Sequence, residues 1–304
     1  NRQGNRPGFY AVVATQHGTV VTLGPSATGK SVIAGGGVQP DGTGTVTLAK
    51  GDVLQVLSNG GSSDPDPSDL TGTLVTASQP VLVLGGHECS NVPYQLGFCD
   101  HLEESIPPIT ALGKTYLVTS PRSDASTPRN QVVRIIATQP GTTLAYEPAI
   151  ANAPAGIANA GDYVELGPLA DSFRVTASAK VLVAQYMVGD NGLGTQVDPS
   201  MSVAVPLEQQ RTTYPLFAPA TGGWTTAVNV TAPVGATVLL DGAAVPAASF
   251  TAIGASGQAW ARLALPATGS HTLTSSHPMA AQVFGMATYT STFYPAGYNL
   301  VVVP

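Results

Sequence analysis

A polar turn followed by an apolar run is written three times along this chain, and that repetition limits its possible folds more than any other feature. The phrase is Val75-Thr-Ala-Ser-Gln-Pro80 before Val-Leu-Val-Leu, Val175-Thr-Ala-Ser-Ala-Lys180 before Val-Leu-Val-Ala, and Leu273-Thr-Ser-Ser-His-Pro278 before Met-Ala-Ala-Gln. A return at positions 75, 175 and 273 means that one structural unit of about a hundred residues is used three times. A second phrase keeps the same order: Val12-Val-Ala-Thr-Gln-His-Gly18, Ile135-Ile-Ala-Thr-Gln-Pro-Gly141 and Asn229-Val-Thr-Ala-Pro-Val-Gly235. Between the two phrases the first unit is the longest, and its excess includes Ser62-Ser-Asp-Pro-Asp-Pro-Ser-Asp69, a surface insertion.

Three units in 304 residues leave each one large enough for its own core. Charged residues are 10 % of the chain, with 34 glycines and 25 prolines, and Lys, Glu and Gln are scarce while Val and Thr abound. Such a balance belongs to an all-β chain with many turns. The middle unit reads as strands at Thr115 to Thr119, Gln131 to Thr138, Thr142 to Tyr146, Gly161 to Leu166, Phe173 to Thr176, Val181 to Val188 and Met201 to Val205. Short runs at this spacing fit an antiparallel Ig-like β-sandwich. The expected architecture is therefore three tandem β-sandwiches, at residues 1–108, 109–207 and 208–304. Units two and three open on strand-like Thr115-Tyr-Leu-Val and Thr213-Tyr-Pro-Leu, whereas the chain starts at what would be the second strand of unit one. The expectation is an excerpt of a longer protein with an unpaired edge beside that missing strand, a place that invites pairing unless covered. Val81, Val181 and Met279 are expected in equivalent central strands.

A net charge of −6 with scattered basic residues gives no footprint for nucleic acid or anionic membrane, and no apolar run is long enough to insert directly into a bilayer. The two cysteines, Cys89 and Cys99, lie close together in a Lys-poor β protein, which favours an oxidising compartment and a disulfide between them. Flanked as His87-Glu-Cys89 and Cys99-Asp-His101, they also spell a possible Cys2His2 zinc site, and a free thiol is a third reading. Asp64, Asp66 and Asp69 offer oxygens for calcium, as do Asp190, Asn191 and Asp198, but neither group follows a known calcium-loop pattern, and solvated acidic loops are expected.

Gly24-Pro-Ser-Ala-Thr-Gly-Lys-Ser31 matches a phosphate-binding loop, yet the Val32-Ile-Ala-Gly-Gly-Gly-Val-Gln-Pro40 that follows cannot supply the helix such a site needs. Asn229-Val-Thr231 spells a glycosylation sequon inside an apparent strand. Ser105, Asp100 and His101 supply the residue types of a hydrolase but no recognisable spacing, and no catalytic residue is assigned. A tyrosine group at Tyr289, Tyr294 and Tyr298 keeps a glycan-binding surface as an alternative, beside a purely structural surface module.

Val75-Thr-Ala-Ser-Gln-Pro-Val-Leu-Val-Leu-Gly-Gly-His-Glu-Cys89, then Cys99-Asp-His-Leu-Glu-Glu104, Pro107 and Gly113-Lys-Thr-Tyr-Leu-Val118 together carry a likeness. It continues through Ala160-Gly-Asp-Tyr-Val-Glu165 and Ala184-Gln-Tyr-Met-Val-Gly189. The chain resembles the N-terminal domain of the IgGFc-binding protein family, and His87, Cys89, Cys99, Asp100, His101 and Glu104 match the family pattern one by one. The resemblance implies an extracellular, secreted or cell-surface module for binding or adhesion, without enzymatic activity or cofactor, whose partner is an extracellular protein. The family name points to the constant part of immunoglobulin G. The Ala- and Gly-rich composition suits a bacterial member. The resemblance gives no role to His87, Asp100, His101 or Glu104.

Overall fold

The computed structural model describes residues 6–60, 68–94, 97–121, 131–189, 197–219, 223–265 and 268–304. Among them the regular structure is β, broken only by three short 3-10 turns. The first unit supplies β1 (Gly8–Ala14), β2 (Thr19–Leu23), β3 (Gly44–Leu48), β4 (Val53–Leu57), β5 (Val75–Ala77), β6 (Val81–Ser90) and β7 (Asp100–Ser105). They form two antiparallel sheets, ordered β4-β1-β6-β7 and β3-β2-β5.

The second unit supplies β8 (Gly113–Val118), β9 (Gln131–Ala137), β10 (Thr142–Glu147), β11 (Gly156–Ile157), β12 (Tyr163–Leu169), β13 (Phe173–Met187) and β14 (Ser200–Val203). Here one strand does the work of β5 and β6. The first half of β13 pairs with β10 and β8, and its second half pairs with β9 and β14. Where the sequence suggested two runs, at Phe173 to Thr176 and Val181 to Val188, the strand is continuous. Ala177-Ser-Ala-Lys180 holds no Pro or Gly to break it, and the change of partners is absorbed by a register shift between Thr176 and Val181.

The third unit supplies β15 (Arg211–Ala218), β16 (Thr225–Pro233), β17 (Val238–Leu240), β18 (Ala243–Ala244), β19 (Thr251–Ala252), β20 (Gln258–Ala264), β21 (Gly269–Ala287) and β22 (Thr290–Pro295). Its long strand β21 pairs with β17 and β15 in its first half and with β16 and β22 in its second. Pro278 is accommodated at a register shift against β15, where a missing amide costs no ladder bond.

The repeated phrases have a physical cause. Ser78, Ser178 and Ser276, the serines of the polar turn, accept the backbone N–H groups of Val20, Thr143 and Thr237 at 2.9, 2.9 and 3.0 Å. Each hydroxyl therefore extends the ladder where the strand bends. Register repeats as well: Val12 faces Val83, Ile135 faces Val183 and Val230 faces Ala281. These partners lie two residues past Val81, Val181 and Met279, so the third unit aligns on Val230 and not on Asn229, because its following turn is one residue shorter. Three buried clusters follow, one around Tyr10, Val12 and Val21, one around Tyr116, Ile135 and Phe173, and one around Tyr214, Val228 and Leu273.

The units also pack on one another. Strand β14 lies against both β7 and β22. A smaller cluster of Val92 and Leu102 with Val132, Val188 and Met201 joins the first unit to the second.

Candidate functional site

The stretch holding the family-pattern residues, β6 to β7, sits where the first unit meets the other two. Cys89 and Cys99 are joined by a disulfide with Cα atoms 5.1 Å apart. A sulfur in that bond is no thiolate ligand, so the zinc reading of His87, Cys89, Cys99 and His101 fails. The imidazoles have other neighbours. His87 Nδ1 accepts the Cys89 N–H at 3.0 Å while its Nε2 lies 2.9 Å from Ser68 Oγ. His101 stacks on Phe9, with centroids 5.7 Å apart, and its Nε2 meets Glu103 at 3.1 Å. Asp100 accepts the backbone N–H of His101 at 2.8 Å, while the imidazole of His101 turns to Glu103. Burial raises the Asp100 pKa in spite of that bond and of the nearby His101.

The excursion between the cysteines reaches across the molecule. Val92 enters the cluster shared with the second unit, and the Gly189 N–H donates to its carbonyl at 3.0 Å. Phe98 meets Tyr289 of the third unit edge to face, with centroids 5.8 Å apart. Tyr94 and Phe98 are 44 % and 39 % exposed, which places aromatic surface on a covalently clipped turn.

Glu104 lies at the junction of all three units. Its carboxyl accepts the Ser105 N–H at 2.9 Å and is also bonded by the Val203 N–H of β14. Tyr298 of the third unit is close enough to feel its charge. Burial pushes the Glu104 pKa up to about 7, against those two amide bonds.

Beside this junction a cleft of about 550 Å³ opens between the first and second units, lined among others by Tyr10, Val83, His87, Ile106, Arg134 and Tyr186. The Arg134 guanidinium donates to Asp69 at 2.8 Å, to Thr71 at 2.7 Å and to Glu165 at 2.7 Å, and rests on the Tyr163 ring 4.1 Å from its centroid. Burial opposes ionisation of Asp69, but Arg134 and the Thr71 bonds outweigh it and hold the pKa below the usual carboxylate range. Asp69 is thereby a buried cross-unit anchor and not part of the solvated acidic loop expected there. Asp64, Asp66, Asp190 and Asn191 lie outside the described residues, and among the described residues no cluster of acidic, His or Cys side chains could hold a metal. Burial and the nearby Asp100 charge raise the pKa of Asp198.

The remaining sequence candidates have structural roles. Lys30 follows a turn in which Ser26 Oγ accepts its N–H, and Val32 bridges to Ser58 in extended form where a phosphate loop would start a helix. Asn229 is buried, donating to Thr119 Oγ1 and to the Ser120 carbonyl, so the sequon is closed to modification. Tyr298 donates to the carbonyls of Val203 and Ala204 and Tyr294 to that of Phe217, which leaves only Tyr289 of that group as an exposed ring. The alternative of a surface tyrosine platform for glycans thus has no support in this group.

These features define a class, an all-β protein of several antiparallel sheets, clipped by one short disulfide and cohering through buried polar anchors between its sheets. The chain belongs to the IgGFc-binding protein family, whose model, described as IgGFc binding protein, matches residues 1–285. It is 32 % identical over 192 residues to the human "IgGFc-binding protein", covering 62 % of this chain and 3 % of that protein. The chain thus spans a small fraction of its relative's length. No solved structure matches it. No helix among the described residues is long and apolar enough to cross a membrane.

Proposed function

We propose that the chain is an extracellular, non-enzymatic binding and adhesion module of a larger secreted or surface protein, built as three tandem β-sandwiches with boundaries near 108 and 207. Matching registers and a buried cluster in each unit support the three-sandwich reading. The observation that carries the functional reading is the Cys89–Cys99 excursion, which holds Tyr94 and Phe98 half in solvent on a bonded turn. Rigid, exposed aromatic side chains supply contact area at low entropic cost, as protein-binding surfaces require. The printed name of the human relative makes the constant fragment of immunoglobulin G the first partner to test.

The experiment is a titration of the immobilised chain with purified Fc fragment, beside the variant Tyr94→Ala and the pair Tyr94→Ala, Phe98→Ala. Saturable binding weakened at least about tenfold in the double variant, the loss expected of a central aromatic anchor, supports the reading. Binding that ignores both substitutions moves the surface elsewhere. Turnover of a generic ester or glycoside lost on Ser105→Ala would replace the binding reading with an enzymatic one.

A further inference from the structure

Each unit builds one of its half-sheets on the strand that follows the second phrase, and in two units an opening strand closes that half-sheet. In the second unit β8 lies on the first half of β13, and in the third β15 lies on the first half of β21. In the first unit the same half-sheet is β3-β2-β5, and no described strand pairs with the outer edge of β5. The backbone there is set for a partner. The Gly24 N–H donates to the Leu74 carbonyl at 2.8 Å and the Ser78 N–H to the Val20 carbonyl at 2.9 Å. Antiparallel alternation therefore turns the amides and carbonyls of Val75 and Ala77 outward.

The side chains agree with the backbone. Val175, Val181 and Val183 are fully buried, as are Leu273, Met279 and Ala281, whereas Val75, Val81 and Val83 are only partly covered and Leu74 is 50 % exposed. A tyrosine of the opening strand contributes to the cover in the other units. Tyr116 donates to the Val181 carbonyl at 2.5 Å and accepts the Gly113 N–H at 3.2 Å. Tyr214 repeats this with the Met279 carbonyl at 2.7 Å and the Arg211 N–H at 2.9 Å. Ala204, which packs in the Tyr116 cluster, donates its N–H to the Val183 carbonyl, and Ile106 does the same to that of Val83. Val75, Val83 and Ile106 all line the cleft between the first two units. The place filled by Tyr116 in the second unit thus corresponds, in the first, to part of that cleft.

We propose that the edge of β5 is an acceptor for an extended strand of the Thr-Tyr-aliphatic kind found in β8 and β15, bound antiparallel to Val75–Ala77 with its tyrosine over Val75, Val81 and Val83. The occupant is a polypeptide segment from a unit of this same kind, because the chain itself fills the equivalent edge twice with such a segment. Main-chain bonds give the pairing its strength and the tyrosine slot its selectivity. The acceptor rests on the β5 edge and not on Phe98; Tyr94 lines the same cleft, so peptide binding is read on the β5 amides and not on Fc affinity.

The test uses the full chain and a synthetic peptide of the sequence Ala111–Ser120. Saturable binding is expected, with hydrogen exchange at Val75 and Ala77 slowed about tenfold or more at saturation. The peptide carrying Tyr116→Ala should bind at least about tenfold more weakly. That comparison leaves the fold of the chain untouched. On the protein side, Ala77→Pro removes the outward N–H at an edge position that tolerates proline, and it should abolish peptide binding while the melting transition persists. Absence of saturable binding, protection confined to other strands, or equal affinity for the alanine peptide would each overturn the proposal.

Discussion

Glu104 is the carboxyl whose surroundings depart furthest from water in the family-pattern stretch, and its chemistry follows from that. An ordinary glutamate has a pKa of 4.5, and burial pushes this one up to about 7 against the amide bonds from Ser105 and Val203. The folded state then holds its proton more tightly than the unfolded chain does. The contribution of this group to stability is therefore full below about 4.5, declines as pH rises through about 7, and is flat above. Glu104→Gln should remove this slope, making the variant more stable than the parent at pH 8 by about 3 kcal/mol, with the gap closing near pH 4. Denaturant titrations of both proteins across that range measure it, and parallel curves would show that the carboxyl is solvated. The sequence singled out Glu104 by motif but could not show its environment, since its partners Val203 and Tyr298 lie far along the chain. Arg134 was missed altogether for the same reason. Its partners Asp69 and Glu165 are 65 and 31 positions away, and no local pattern announces such a pair.

Strands were the most legible elements, because each repeated residue type has a repeated task. The serines of the polar turn were visible as a phrase since all three accept an amide at the same bend. Side-chain periodicity alone could not tell that Phe173–Met187 is one strand, as the bend at Ala177-Ser-Ala-Lys180 looks like a turn in sequence and is resolved only by a change of partners. The excursion from Cys89 to Cys99 also belongs to this scale. Its bond closes a short loop, a restraint worth roughly 2 to 3 kcal/mol in the chain-entropy model. Beyond that it holds Val92 in the cluster with Met201 and Phe98 against Tyr289. Cys89→Ser should therefore cost about 2 to 5 kcal/mol in denaturant titration, with faster exchange at Gly189, whose amide donates to Val92. Exchange unchanged at Gly189 would mean that the excursion docks without its clip.

At the scale of the molecule the question is whether the units melt together. The second and third are tied by a buried polar knot. Asn229 donates to Thr119 Oγ1 at 3.1 Å and to the Ser120 carbonyl at 2.7 Å, and its Oδ1 accepts from Arg262 Nε at 3.1 Å. Arg262 also reaches the Ser120 carbonyl, and burial lowers its pKa, as expected of a cation drawn out of water. Asn229→Ala would leave Thr119 and Arg262 with buried, unsatisfied groups, at a cost of about 2 to 4 kcal/mol. A chain of independent beads would confine that loss to the third unit, which carries the substituted side chain. The knot instead predicts that hydrogen exchange rises on both sides, at β9 and β13 as well as at β16 and β20, and that the thermal transitions of the two units fall together. Exchange faster only in β16 and β20 would show that the contact is decorative and that the units lie side by side without sharing stability.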